Sequence, residues 1–123
     1  MTGLSDKYKI SSGEGFGEYR ITSFDDALLN AGVGNYNLVR LSSILPLGAK
    51  QEADIHLPLG SLLPIAYAVE STNIPCRRIA AAVAIGFPAK KDSEHCAVIM
   101  EYEGECSKDE AITVVTKMVE EGF

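Results

Sequence analysis

Asn30-Ala-Gly-Val-Gly-Asn-Tyr-Asn-Leu-Val-Arg-Leu-Ser-Ser-Ile-Leu-Pro-Leu-Gly48 is the stretch on which the reading of this chain turns. It begins as a helix end, where Gly32 suits the left-handed C′ position. Residues 36–43 then alternate with period two, the signature of a strand. Asn37, Val39, Leu41 and Ser43 fall on one face; Leu38, Arg40 and Ser42 fall on the other. The strand ends at two hydroxyls, Ser42 and Ser43, and the turn residues Pro46 and Gly48 follow.

Upstream, residues 7–10 read as a short strand and residues 19–21 as a second one. Between them lies Ser11-Ser-Gly-Glu-Gly-Phe-Gly17. A phosphate loop would open directly onto a helix and carry a Lys-Ser/Thr pair, so this segment reads as a flexible turn. Ser23 reads as an N-cap with Asp25 and Asp26 in the first turn, where carboxylates favour the positive end of the helix dipole. That helix is expected over residues 24–30. The glycines of Ala31-Gly-Val-Gly-Asn35 follow a helix instead of preceding one, so they are no dinucleotide fingerprint.

Downstream, residues 50–60 read as a loop or short edge strand and residues 61–71 as an apolar strand with Pro64 near its start. Residues 78–87 and 95–102 are two more strands. Ser107-Lys-Asp-Glu110 is a capping box opening a helix that runs to Glu121. Ala111, Ile112, Val115, Met118 and Val119 form its apolar stripe, and Gly122 is a C′ signal. This order predicts an α+β fold, a layered α/β/β/α sandwich of mostly antiparallel strands with two helices, in a single domain spanning residues 1–123.

Net charge is −6 at pH 7, which argues against a nucleic-acid backbone or an anionic membrane as partner. No apolar run approaches the roughly 20 residues that span a bilayer, and residues 1–7 lack the apolar core of a signal peptide. A cytoplasmic location is the expectation. Cys76, Cys96 and Cys106 are odd in number and form no Cys-x-x-Cys clip, so reduced, partly buried thiols are expected. His56 and His95 stand apart from any triad or metal spacing and read as structural or solvent-facing; no metal site is expected.

The Ser42-Ser43 pair carries chemistry as well as a turn. A serine after a strained peptide bond can attack the preceding carbonyl through its own hydroxyl, converting the amide to an ester. Elimination across Cα–Cβ then releases the upstream chain, and hydrolysis leaves a pyruvoyl group on the downstream one. Such a ketone can form a Schiff base with an amine and do the carbanion-stabilising work usually given to pyridoxal phosphate. Alone, the pair reads as two strand-end hydroxyls satisfied by turn backbone, and the chemistry gains weight only from what surrounds it.

The surrounding pattern resembles the pyruvoyl-dependent arginine decarboxylases. The resemblance lies in residues 28–46, in Pro58-Leu-Gly-Ser-Leu-Leu-Pro-Ile-Ala-Tyr67, in Val98-Ile-Met-Glu-Tyr-Glu-Gly104 and in the capping box with the ending Glu121-Gly-Phe123. It covers about residues 22–123. It implies a lyase of polyamine biosynthesis that converts L-arginine to agmatine and CO2, with a covalent pyruvoyl cofactor made from Ser43. It places self-cleavage between Ser42 and Ser43, giving chains 1–42 and 43–123. It also implies Glu101 as proton donor, Asn37 in self-processing and Asp25 as the substrate-binding partner of the guanidinium. Without it, Glu101, Glu103 and Glu105 read as one solvated strand face, and Asp25 as a helix carboxylate with Asp26 as an equal candidate.

Asn37 shares a face with Ser43 but lies six residues upstream, about 20 Å along a straight strand. Action on Ser43 then calls for a sharp bend or for a neighbouring copy. The resemblance implies a homotrimer or dimer of trimers with sites at subunit interfaces, which accords with the second. Family members usually continue past the Gly-Phe that ends this chain, and Pro46-Leu47 departs from the usual double proline. Two alternatives stay open: a non-catalytic member serving as oligomeric scaffold or partner subunit, and a decarboxylase for another amino acid.

Overall fold

A computed structural model of the chain describes residues 5–89 and 95–122; Met1–Leu4 and Phe123, parts of segments quoted above, lie outside it. In chain order the elements are β1 (Lys7–Tyr8), α1 (Arg20–Asn30), β2 (Asn37–Arg40), β3 (Ile44–Leu45), β4 (Lys50–Gln51), β5 (Leu62–Ile65), β6 (Ala80–Gly86), β7 (Ala97–Gly104) and α2 (Lys108–Glu121). Two helices with several short strands make the fold α+β. The described residues divide into two compact units. Unit 1 holds residues 40–48, 65–89 and 95–122; unit 2 holds Ser5–Val39 and Ala49–Pro64.

Unit 1 contains the antiparallel part of the expected fold. Its sheet has the order β3-β7-β6, with β7 in the middle. β6 and β7 run in unbroken register from Ala80↔Gly104 to Gly86↔Val98, and α2 packs across both. The fully buried apolar side chains, Leu45, Ala97, Ile99, Ala111 and Val115, all lie here. α2 begins at the expected N-cap, Ser107, although the Glu110 carboxylate reaches the Ser107 hydroxyl and not its backbone N–H as a full capping box would have it. The Glu110 N–H donates to Ser107 Oγ at 3.1 Å, and Ser107 Oγ donates to Glu110 Oε1 at 3.2 Å. Replacing Ser107 by Ala should lower unfolding stability by about 1 kcal/mol, measured by denaturant titration, because an orphan helix N–H loses its acceptor.

The stripe of α2 is narrower than periodicity predicts. Ala111 and Val115, one turn apart, are each 1% exposed, whereas Ile112 at the margin is 46% exposed. Gly122 is the cap residue itself, with right-handed backbone (φ −72°), and not a left-handed C′.

Unit 2 has no fully buried residue among those described. Helix α1 starts at Arg20, so the strand expected over residues 19–21 does not form. Thr22 supplies the cap: its hydroxyl accepts from the Tyr19 N–H at 3.2 Å and donates to the Tyr19 carbonyl at 2.9 Å. Ser23 is not the N-cap, because its hydroxyl donates back to the Arg20 carbonyl at 2.8 Å. Asp25 and Asp26 consequently lie past the first turn, where the dipole effect has faded. The helix ends at Asn30, as the sequence predicts. Gly32 has φ +85°, and its N–H and that of Val33 donate to Leu29 and Leu28 carbonyls, a Schellman motif.

The glycine segment of residues 11–17 is no free turn. It lies against α1, held by Phe16 N–H to Asp26 Oδ2 at 3.0 Å and Asn30 Nδ2 to the Glu14 carbonyl at 2.6 Å. A Cβ on Gly13 or Gly15 would collide with the backbone at Ala27. These glycines are there for close approach.

The other two strand pairs are parallel, against the mostly antiparallel expectation. β1 pairs β4 with Lys7↔Lys50 and Tyr8↔Gln51. β2 pairs β5: Asn37 N–H donates to the Ser61 carbonyl at 2.9 Å and Leu41 N–H to the Ile65 carbonyl at 2.8 Å, both partners advancing together. The reason is connectivity, since each pair is joined by a long excursion and not by a hairpin.

Candidate active site

Residues 36–43 do not form one strand. β2 ends at Arg40 and β3 begins at Ile44. Leu41 is the last residue bonded towards β5, and the backbone then bends at Ser43. On the far side, Ile44 and Leu45 pair with Val98 and Ala97 of β7. The Ser42–Ser43 peptide therefore lies where the chain leaves one ladder for another, a switch to which alternation along the sequence is blind.

This switch opens a cavity. Continued register along β7 would set Ser42 opposite Met100 and Leu41 opposite Glu101. The chain instead diverges at Ser43, leaving a cavity of about 330 Å³ in unit 1. Its walls are Arg40, Leu41, Ser42 and Ser43 on one side, and Ile99, Met100, Glu101 and Met118 on the other. The Ser43 carbonyl accepts from the Ile99 N–H at 2.7 Å. Among the described residues the Ser43 N–H makes no return bond, and neither serine hydroxyl makes a hydrogen bond. The peptide bond between the serines is thus pinned on its downstream side and uncommitted at its nitrogen.

Glu101 is distinguished from its alternating neighbours by position. It sits within β7, opposite Val83 of β6, with its side chain 19% exposed; Glu103 and Glu105 are exposed. The carboxylate accepts from Arg40 Nη2 at 3.3 Å. Arg40 also donates through Nη2 to the Tyr67 carbonyl at 3.3 Å, and its guanidinium lies 4.5 Å from the centroid of the Tyr67 ring. Sequence reading passed over Arg40 and Tyr67. Arg40 appeared only as one member of a strand face, and its pairing with Glu101 bridges residues far apart in the chain. With Arg40 56% exposed, the ion pair contributes at most about 1 kcal/mol to stability, so it matters for geometry more than for folding.

Ser42, Ser43 and Glu101 are thus brought together. Asn37 and Asp25 belong to unit 2. The Asn37 Nδ2 donates to the Gly60 carbonyl at 2.8 Å. Asp25 is exposed on α1, while Asp26 is already engaged with the Phe16 N–H.

A family model described as pyruvoyl-dependent arginine decarboxylase matches residues 7–123. The chain belongs to that family. Among its relatives is the pyruvoyl-dependent arginine decarboxylase of Methanocaldococcus jannaschii, 43% identical over 120 residues, which cover 98% of this chain and 72% of the relative. The enzyme of the same name from Thermococcus kodakarensis is 42% identical over 108 residues, covering 87% and 67%. That of Methanococcus vannielii is 41% identical over 114 residues, covering 93% and 68%. The chain thus spans about two thirds or somewhat more of each relative's length.

A second cleft in unit 1, about 420 Å³, is lined by residues including Cys76, Arg77, Glu105 and Cys106. Its Arg77 is paired with Glu105 at 3.2 Å. All three cysteines are free. Cys76 is exposed, not partly buried as expected, in a left-handed backbone with φ +65°. His56 and His95 are both exposed. No described helix is long and apolar enough to cross a membrane.

Proposed function

We propose that this chain cuts itself between Ser42 and Ser43 and then decarboxylates L-arginine to agmatine. The observation that carries the reading is one cavity lined by Ser42, Ser43 and Glu101 together. Ser43 Oγ attacks the Ser42 carbonyl carbon; the C–N bond breaks as the C–O bond forms, and the uncommitted Ser43 nitrogen takes up the proton. Elimination then releases residues 1–42 with a carboxylate at Ser42. Hydrolysis releases ammonia and leaves the pyruvoyl group at the head of residues 43–123.

The site suits that group, since the half-buried Ser43 faces the cavity and its own carbonyl stays pinned by the Ile99 N–H after the cut. When formed, the pyruvoyl group supplies the electron sink for the carbon that loses CO2. The protein's own residues do the rest. Ile99, Met100 and Met118 give the cavity an apolar wall. Glu101 returns a proton to the substrate α carbon. A carboxylate such as Asp25 would fit the planar fork of the guanidinium and set arginine apart from lysine. Weighing the purified protein tests the first step: an intact chain that borohydride cannot label would sink the reading. A decarboxylation assay across arginine, lysine, ornithine, histidine and aspartate tests the substrate.

Asn37 completes self-processing in a neighbouring copy, within a homotrimer or dimer of trimers. Co-assembling Asn37→Ala chains with Ser43→Ala chains should restore cleavage of the former, read by mass spectrometry. A mixture that stays uncut would count against action between copies.

A further inference from the structure

We propose that Arg40 is a positioning residue that holds the Glu101 carboxylate over the cavity; the inference rests on reading that cavity as a decarboxylase site. Glu101 has its backbone fixed in the middle strand of a sheet, but three rotatable bonds separate that backbone from the carboxylate. An acid that delivers a proton to one carbon needs its oxygen held to within a fraction of an ångström. Arg40 provides the hold. Its Nη2 contacts both Glu101 Oε2 and the Tyr67 carbonyl at 3.3 Å, and the guanidinium carbon lies over the Tyr67 ring, 4.5 Å from its centroid. Tyr67 thereby anchors the arginine on two sides, and the arginine in turn anchors the acid. An ammonium group cannot reproduce this, since it lacks the planar face that stacks on the ring.

The position of Arg40 in the chain gives the contact a second consequence. Arg40 lies two residues before Ser42, so one short segment delivers both the reactive peptide bond and the group that aims the acid. Self-cleavage leaves Arg40 on the upstream chain and Glu101 on the downstream chain. The ion pair then becomes a contact between the two products, and the acid stays aimed only while both remain assembled.

The test uses Arg40→Met and Arg40→Lys, each also combined with Glu101→Gln, in the full chain. Arg40→Met should still be cut and still be labelled by borohydride. Its kcat should fall on the order of 10²-fold, the cost of misplacing a reacting group by about 1 Å, with KM nearly unchanged. In the Glu101→Gln background the same replacement should have no further effect, because both changes act through one group. Arg40→Lys should recover part of kcat. A fall in kcat of the same size in both backgrounds would overturn the inference.

A readout that needs no active enzyme comes from crystal structures of Ser43→Ala chains with and without Arg40→Met. The Glu101 carboxylate should leave the cavity when Arg40 is replaced; a carboxylate that stays in place would overturn the proposal. If the parent chain is never cut, the decarboxylase reading falls, and this pair of structures still decides whether Arg40 holds Glu101. Should Arg40→Met fail to fold, Arg40→Lys carries the same cycle.

Discussion

Ser43→Ala should leave the chain intact and abolish decarboxylation. Mass spectrometry of the variant should give one species at 13.2 kDa, the mass of the whole chain, where the parent gives two fragments. The replacement removes the oxygen that, in the proposed reaction, attacks the Ser42 carbonyl and then leaves Cβ in the elimination, so no pyruvoyl group can form. Activity should fall by a factor on the order of 10⁶, as when the group that carries the covalent chemistry is deleted. Folding should be nearly unaffected, within about 0.5 kcal/mol, because Ser43 Oγ makes no hydrogen bond among the described residues and the backbone bond to Ile99 remains. Ser42→Ala is the informative companion. Ser42 contributes its carbonyl and not its hydroxyl, so that variant should still be cut. A Ser43→Ala chain that still falls into two pieces at this peptide would refute the assignment.

Glu101→Gln should separate cofactor formation from turnover. The amide is nearly isosteric, and its oxygen can still accept from Arg40, so the cavity keeps its shape while losing its acid. Cleavage and borohydride labelling should proceed. Decarboxylation should fall by roughly 10²- to 10⁴-fold in kcat, the usual worth of a positioned general acid. KM should change little, because the substrate's binding contacts are untouched. Glu103→Gln serves as the control. Glu103 is on the same strand face, but it is exposed and absent from the cavity wall. Equal losses from both replacements would mean that the strand's overall charge matters, and not a proton donor at position 101.

The candidate site was only partly legible along the chain. The pattern of residues 28–46 and 98–104 pointed to Ser42, Ser43 and Glu101, and these line one cavity. Periodicity could not choose among Glu101, Glu103 and Glu105, since all three repeat with the same spacing. Burial distinguishes them, and burial depends on how far the cavity and helix α2 extend along β7. Arg40 and Tyr67 gave no local signal at all. The contacts of Arg40 with Tyr67 and with Glu101 join three segments widely separated in sequence.

Helix ends show the same contrast. Ser107 with Glu110, and Gly32 after Asn30, were read correctly because a cap is a matter of a few adjacent residues. The start of α1 was missed because Ser23 satisfies the composition of an N-cap while its hydroxyl turns back to the Arg20 carbonyl. The glycines at 13 and 15 looked like freedom. They are the opposite, because the backbone of α1 occupies the space their side chains would need.

The residues alone specify helix α2 with its N-cap, the presence of strands β6 and β7, the end of α1 and the serine pair on which the proposed chemistry rests. Each follows from hydrophobic spacing or hydrogen bonds within a few residues. Where the chain abandons its first ladder depends on long-range packing. Residues 36–43 alternate as a single strand would, yet Leu41 bonds to Ile65 while Ser43 bonds to Ile99. Backbone donors and acceptors are the same at every residue, so alternation cannot tell which partner takes them. The choice of partner breaks the strand, opens the cavity beside Ser42–Ser43 and sets Arg40 against Glu101.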